Sequence, residues 1–348
     1  MYALVILVIL LMYLISENMS AVMRRKLSTR FALCICVMLV LLAAFRADSV
    51  GYDTLRYREA FNNIGWYPSL DSLIRRYTKY YMGYYGLSKI FHNLGFSAQV
   101  WFGFIVAFYL FALMKLVDMF SKDKIFSLLV FITIGLWGFS MAGLKQTLAM
   151  SLMMLAFVAF VKKKYYIAAI LVILVYFTHQ SALIALAFVP LYYLRKSQWL
   201  LPLVIVSCLL IYLYSYTFME TMADILENEH WRYYLVKNSN YTYVTFIFYF
   251  VITAISYFNF KDYRRADPEY ARYFMGLSTL GCGLQLLAGV SPSLFRLAYL
   301  YTPFFMITIP NTAYYCKPNN KLIFKVIIMG CLIFYFLYAN RDNPYEFY

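Results

Sequence analysis

The sequence predicts an all-α, polytopic integral membrane protein of about twelve transmembrane helices, with amphipathic helices in its outer-face loops. Three observations predict it. Hydrophobic residues make up 64% of the 348 residues and charged residues 14%, too apolar a mix for a soluble core of that length. Apolar runs recur along the whole chain, and every second loop between them is basic. The inner loops are too short to hold a cytoplasmic catalytic domain, so residues 1–348 read as a single membrane domain.

In chain order the apolar runs cover residues 1–15, 31–45, 99–119, 125–140, 147–160, 165–177, 182–194, 199–218, 242–258, 273–290, 294–314 and 322–338. Several fall short of the roughly 20 residues that a perpendicular span needs, so some pairs are candidates for re-entrant segments. The first run lacks a basic leader and a small-residue cleavage site, and further spans follow it, which reads as a retained helix. Arg24, Arg25, Lys26 and Arg30 follow the first helix, Lys122 and Lys124 the third, Lys162 to Lys164 the fifth, and Arg195 and Lys196 the seventh. Lys261, Arg264 and Arg265 follow the ninth, and Lys317 and Lys321 the eleventh. These loops are expected to be cytoplasmic, which puts both termini and His92, His179 and His230 outside. The net charge of +15 then reads as a topology signal and lipid contact, with no nucleic acid expected as a partner. Cys34, Cys36, Cys208, Cys282, Cys316 and Cys331 sit in helices or at inner ends, and no Cys/His spacing suggests zinc.

Two outer segments exceed what a connection needs. Residues 46–97 form the first large outer loop. Within it Leu70, Ile74 and Tyr77 share one helical face, with Arg75, Arg76 and Lys79 around the rest, so an amphipathic helix in the membrane interface is expected. Residues 219–241 form the second, where Glu220, Asp224, Glu227 and Glu229 lie beside Trp231, Tyr233 and Tyr234. Aromatic rings next to carboxylates suit sugar stacking, and they also belt ordinary membrane interfaces.

Four polar patches are expected on the outer face. Arg46 opens a stretch to Arg58 that mixes cations with Asp48, Asp53 and Glu59; its planar fork suits phosphate oxygens, or it snorkels and pairs with a nearby Asp. Lys145 and Gln146 lie between two apolar runs, with Gly138 and Gly143 loosening the turn, so the lysine either meets an anion or is a surface residue of a tight loop. His179 and Gln180 connect two apolar runs, and the imidazole is either a general base or a helix cap. Ser291 and Pro292 read as a helix cap and first turn. Arg296 would then lie about one turn inside a membrane helix, where an arginine costs roughly 2.5–3.5 kcal/mol at mid-span and needs an anion. The helix N-terminus beside it favours that anion too.

Taken together, these residues resemble the EpsG/Wzy family of bacterial polysaccharide polymerases, over most of the chain and most strongly across residues 46–194. An Arg followed by a Gly-x-Asp-x-x-x-Tyr pattern is matched by Arg46, Gly51, Asp53 and Tyr57. An Arg-Gln pair opening a membrane helix is matched by Lys145 and Gln146, and a Phe-His-x-Ser step by Phe177, Thr178, His179, Gln180 and Ser181. A late arginine followed by aromatics corresponds to Arg296, Tyr299 and Tyr301. Three features depart from the pattern: lysine at position 145, the additional Thr178, and Tyr81, Met82, Gly83, Tyr84 and Tyr85 where a Glu-Pro start is usual.

The resemblance implies glycosyl transfer that extends a surface polysaccharide from polyprenyl-diphosphate-linked oligosaccharide at the outer leaflet of the bacterial cytoplasmic membrane. It implies contact with membrane lipid and other polysaccharide-assembly proteins. On this reading Arg46, Lys145, Gln146 and Arg296 hold the diphosphate, His179 or Asp53 is the base, and Tyr52, Tyr57, Trp231 and Tyr233 contact sugar. The leaving group is already a diphosphate, so no cofactor is expected, and a divalent metal is not required because fixed cations do the same work. A glycan ligase and a transporter of the same lipid-linked unit are the rival readings; polar-free mid-membrane spans argue against transport.

Overall fold

The computed structural model describes residues 1–77, 81–225, 243–290, 294–341 and 345–348. Among them the regular structure is helical, and the single β feature is an isolated antiparallel bridge from Arg46 to Phe347. Among the described residues, five helices are long and apolar enough to cross a membrane: Val22–Ala44, Ala98–Phe120, Leu144–Val161, Leu200–Thr217 and Pro318–Ala339. Two bent pairs raise the number to seven if each is one span.

The count of about twelve expected from apolar runs is not reached at that length among the described residues: some runs form shorter helices, such as Tyr2–Glu17 and Tyr165–Thr178, and others are interrupted. Residues 125–140 become Lys124–Thr133 and Leu136–Ala142, bent by 56°. Gly135 makes the break with φ 87°, a left-handed conformation that other residues adopt only under strain. The run over 182–194 is a 3-10 helix, Gln180–Ala187, followed by the short helix Phe188–Tyr193. The run over 294–314 divides into Phe295–Ala298, the 3-10 turn Thr302–Phe304 and Phe305–Tyr315, with Pro303 supplying no N–H where the segments meet.

Burial sorts the spans. Of the most apolar stretch of Leu144–Val161, 78% is buried, against 22% for Val22–Ala44, Leu200–Thr217 and Pro318–Ala339. The three outer helices therefore present rows of bare apolar side chains, such as Leu33, Val37 and Leu41, which is a face for lipid and a liability in water.

The chain forms two compact units, Met1–Leu183 with Ile333–Tyr348, and Ile184–Leu332. In the first, residues 46–97 are a packed helical layer: Thr54–Asn62, the 3-10 turn Asn63–Trp66, Leu70–Tyr77 and Met82–Asn93. Phe61, Ile64, Leu73, Tyr84 and Tyr85 bury against Trp101, Phe102, Leu144 and Leu148 of the membrane helices. The expected helix at Leu70–Tyr77 forms, with Ser69 Oγ accepting the Ser72 N–H at 3.2 Å as an N-terminal cap. Its packed face differs from the expected one. Leu73 is fully buried and Ile74 is exposed, because the core lies on the side of Leu73; the side chains of Leu70 and Tyr77 are not among those described.

The first unit has two chemically distinct ends. At one, Lys124 pairs with Asp118 at 2.6 Å and donates to Thr29 at 3.3 Å, and Arg24 pairs with Glu17. At the other, Tyr2 packs on Tyr345 and the Ala47 N–H donates to the Glu346 carbonyl at 2.9 Å. Helix Ala98–Phe120 separates the ends by about 34 Å at 1.5 Å per residue. Residues 2 and 345 to 347 thus share the end that carries Arg46.

In the second unit Leu200–Ile225 continues helically past Met219 and Glu220, into what the sequence suggested was loop. Trp231 and Tyr233 lie outside the described residues. Arg195 donates from Nε and Nη2 to Glu269 Oε1 at 2.8 and 2.6 Å. Tyr273 and Tyr301 donate to the Phe188 and Ile184 carbonyls at 2.8 and 2.7 Å, which satisfies carbonyls that the 3-10 segment would otherwise leave open.

Candidate functional site

The first unit gathers its chemistry at the end away from the basic loops. Arg46 is fully buried. Its Nε donates to Thr54 Oγ1 at 3.3 Å, Nη2 to the Met141 carbonyl at 2.9 Å and Nη1 to the Ala43 carbonyl. Phe102 lies 4.7 Å from its Cζ. Burial pushes its pKa down to about 10, since desolvation disfavours the charged form. The fork expected to meet a diphosphate is spent on protein groups, and no aspartate pairs with it among the contacts described.

Arg46 instead ties the end of one span to the corner at Met141, just ahead of Lys145. Gly51 makes that closeness possible. It has φ 91°, and a Cβ there would stand 2.8 Å from Thr54 Oγ1 and 3.1 Å from the Met141 carbonyl oxygen.

Arg58 is the neighbouring cation. Its Nε donates to Asp48 Oδ1 at 2.5 Å, and the Tyr348 ring lies 4.0 Å from its Cζ. Only 7% of Arg58 is exposed, and its Nη2 is buried with no hydrogen-bond partner among the described residues.

Lys145 is not in a loop: it is the second residue of helix Leu144–Val161, which begins directly after Gly143. Its Nζ lies 4.5 Å from the Tyr81 ring, 4.8 Å from Tyr85 and 5.9 Å from Tyr57. Three electron-rich rings around one ammonium stabilise the charge without neutralising it. Gln146 follows on the same helix and is buried at 3% exposure.

His179 closes helix Tyr165–Thr178, its N–H donating to the Val175 carbonyl at 2.9 Å. Its ring stacks on Tyr81, centroids 5.6 Å apart and planes 20° apart. The backbone thus caps the helix, and the imidazole packs against an aromatic ring. Gly83 sets the approach, for a Cβ there would meet Thr178 Oγ1 at 2.6 Å and the Phe177 carbonyl at 3.2 Å. The two departures from the family pattern, Thr178 and the segment from Tyr81 to Tyr85, therefore fit each other.

Behind this wall the Trp101 indole N–H donates to Tyr84 OH at 3.3 Å, and Tyr84 packs on Tyr57 at 5.8 Å. Burial holds the Tyr84 phenol well above its ordinary pKa, so it stays neutral.

Of the residues singled out from sequence, Lys145 and His179 meet on Tyr81, and Tyr57 lies beside Lys145. Asp53 stands just ahead of helix Thr54–Asn62, with Oδ1 3.5 Å from Arg56 Nη1, and Tyr52 beside it is 90% exposed. Arg296 belongs to the second unit and is exposed on Phe295–Ala298. That helix is a single turn, too short for the dipole argument made from the sequence; Ser291 and Pro292 lie outside the described residues. Tyr81, Tyr85, Asp48 and Arg58 carry site contacts that sequence reasoning had not assigned.

No curated protein and no solved structure matches the chain. The model of the EpsG family matches residues 29–348, which takes in every residue of the arrangement just described, and the chain belongs to the EpsG family.

Proposed function

We propose that this protein is a polysaccharide polymerase that extends a glycan from polyprenyl-diphosphate-linked repeat units at the outer leaflet of the cytoplasmic membrane. Family membership supports the polymerase role in general. The observation that carries the finer reading is the placement of a lysine ammonium and a histidine ring on one tyrosine, at the end of the first unit opposite its basic loops. By the positive-inside rule that end is extracytoplasmic.

In the proposed reaction the acceptor hydroxyl oxygen attacks the anomeric carbon of the donor sugar. The bond from that carbon to the diphosphate oxygen breaks, the diphosphate leaves with the electron pair, and the hydroxyl proton passes to His179. Lys145 stabilises the charge that develops on the diphosphate, and the aromatic cage fixes where that charge is met. Asp53 is the alternative base, and Arg296 a separate phosphate contact. Exposed Tyr52 offers a face for sugar, with Trp231 and Tyr233 as further contacts. Arg46 serves as a clamp that positions the Lys145 helix.

The test is product analysis in cells that make lipid-linked units and insert the variants normally. His179→Ala and Lys145→Ala should leave single units on the carrier. Normal long chains from both variants would remove the site, and polymer accumulating on the carrier would indicate a ligase.

A further inference from the structure

We propose that Arg58 is a phosphate-binding arginine covered by Tyr348, and that displacement of this ring admits a diphosphate group to its Nη2 edge. The inference rests on the polymerase reading for its ligand class and on geometry for its site.

Three observations lead to it. The guanidinium is nearly buried, yet Asp48 engages only Nε, and Nη2 meets no acceptor among the described residues. A buried unmet donor is unfavourable, and a bound ion is one of the explanations for such a group. The planar fork left open is the one that suits phosphate oxygens.

The cover is built to come away. Tyr348 lies over the guanidinium with 70% of its surface exposed, and Phe347 beside it is 58% exposed. Residues 345–348 are tied to residues 45–49 by the Ala47 N–H to the Glu346 carbonyl at 2.9 Å, the Tyr348 N–H to the Phe45 carbonyl at 2.8 Å, and Ser49 Oγ to Glu346 Oε2 at 2.6 Å. The Tyr345 hydroxyl adds a bond to the Leu42 carbonyl. Releasing Tyr348 breaks its one backbone bond, from its N–H to the Phe45 carbonyl.

The site also has a neighbour of the right kind. Tyr57, which lines the Lys145 cage, precedes Arg58 on the same helix Thr54–Asn62. That helix thus carries Arg58 itself and a ring that contacts Lys145.

The experiment measures phenylglyoxal modification of Arg58 by peptide mass spectrometry, using the full chain in lipid nanodiscs. Tyr348→Ala, which removes only an exposed ring, should raise the modification rate at least about tenfold over the parent. Farnesyl diphosphate should then protect Arg58 at least about fivefold, while farnesol should not. Protection by inorganic pyrophosphate as well identifies a site for free diphosphate; protection by farnesyl diphosphate alone identifies the lipid-linked form. An unchanged rate in Tyr348→Ala, or protection by neither diphosphate, overturns the proposal whether or not the protein polymerises glycan. Protection without chain growth by the parent protein would instead overturn the polymerase reading and leave this one standing. Arg58→Lys, which keeps the charge and removes the fork, should raise KM for lipid-linked units more than it lowers kcat.

Discussion

His179 and Lys145 share one tyrosine: the imidazole stacks on Tyr81 with centroids 5.6 Å apart, and the lysine ammonium lies 4.5 Å from the same ring. Tyr81 stands just before helix Met82–Asn93, Lys145 near the start of Leu144–Val161, and His179 after Tyr165–Thr178. A single phenol ring therefore registers a cation and a potential base against each other.

Tyr81→Phe keeps the ring and should retain most polymer formation, whereas Tyr81→Leu removes both the stack and the cation–π contact. The leucine variant should lose about 0.5–2 kcal/mol of ammonium stabilisation and show a drop of roughly tenfold in chain-forming rate, since about 1.4 kcal/mol is a factor of ten. Initial rates on lipid-linked units check this. Equal rates for the two variants would mean the hydroxyl or the side-chain volume matters and the ring does not.

Gly83→Ala should push helix Met82–Asn93 away from Thr178. The added methyl meets the Thr178 hydroxyl and the Phe177 carbonyl, an overpacking that costs about 1–3 kcal/mol. The expected result is a lower Tm with reduced polymerisation, partly restored in the Gly83→Ala/Thr178→Ala double variant. The restoration stays partial because the Phe177 backbone does not move aside with the hydroxyl.

Arg46→Ala should destabilise the protein before it alters substrate affinity. It strips donors from Thr54, Met141 and Ala43, and buried acceptors left unmet cost about 1–3 kcal/mol each. Thermal unfolding and KM measured on the same preparation separate the roles. A large rise in KM at unchanged Tm would show that Arg46 grips substrate after all.

Lys145→Arg supplies the bidentate fork that the family pattern carries at this position, and it should preserve activity because the cage accepts a guanidinium face. Lys145→Gln should lower kcat at least about tenfold. Both are read from chain length distribution and rate at saturating lipid-linked unit.

The all-helical class was legible because apolar composition and alternating basic loops are properties of the whole chain. Span ends were not, since a run such as residues 125–140 is uniformly apolar whether or not Gly135 turns left-handed within it. Lys145 and His179 stood out as rare polar residues between apolar helices. Their tyrosine partners did not: with 36 tyrosines in the chain, nothing local separates Tyr81, Tyr85 and Tyr57 from rings that pack in the core. Arg46 and Arg58 illustrate the same limit. Both are arginines in one polar stretch, and only packing decides that Arg46 gives donors to two carbonyls and a hydroxyl while Arg58 Nη2 has no partner among the described residues.

The most direct measurement is chain growth by the purified protein on purified polyprenyl-diphosphate-linked units, comparing the parent with His179→Ala in the same vesicles. The account predicts a ladder of long chains from the parent and single units from the variant, at equal protein insertion. Identical ladders from both would contradict a role for His179 at the reacting centre, and no ladder from the parent under any condition of supply would contradict the polymerase itself.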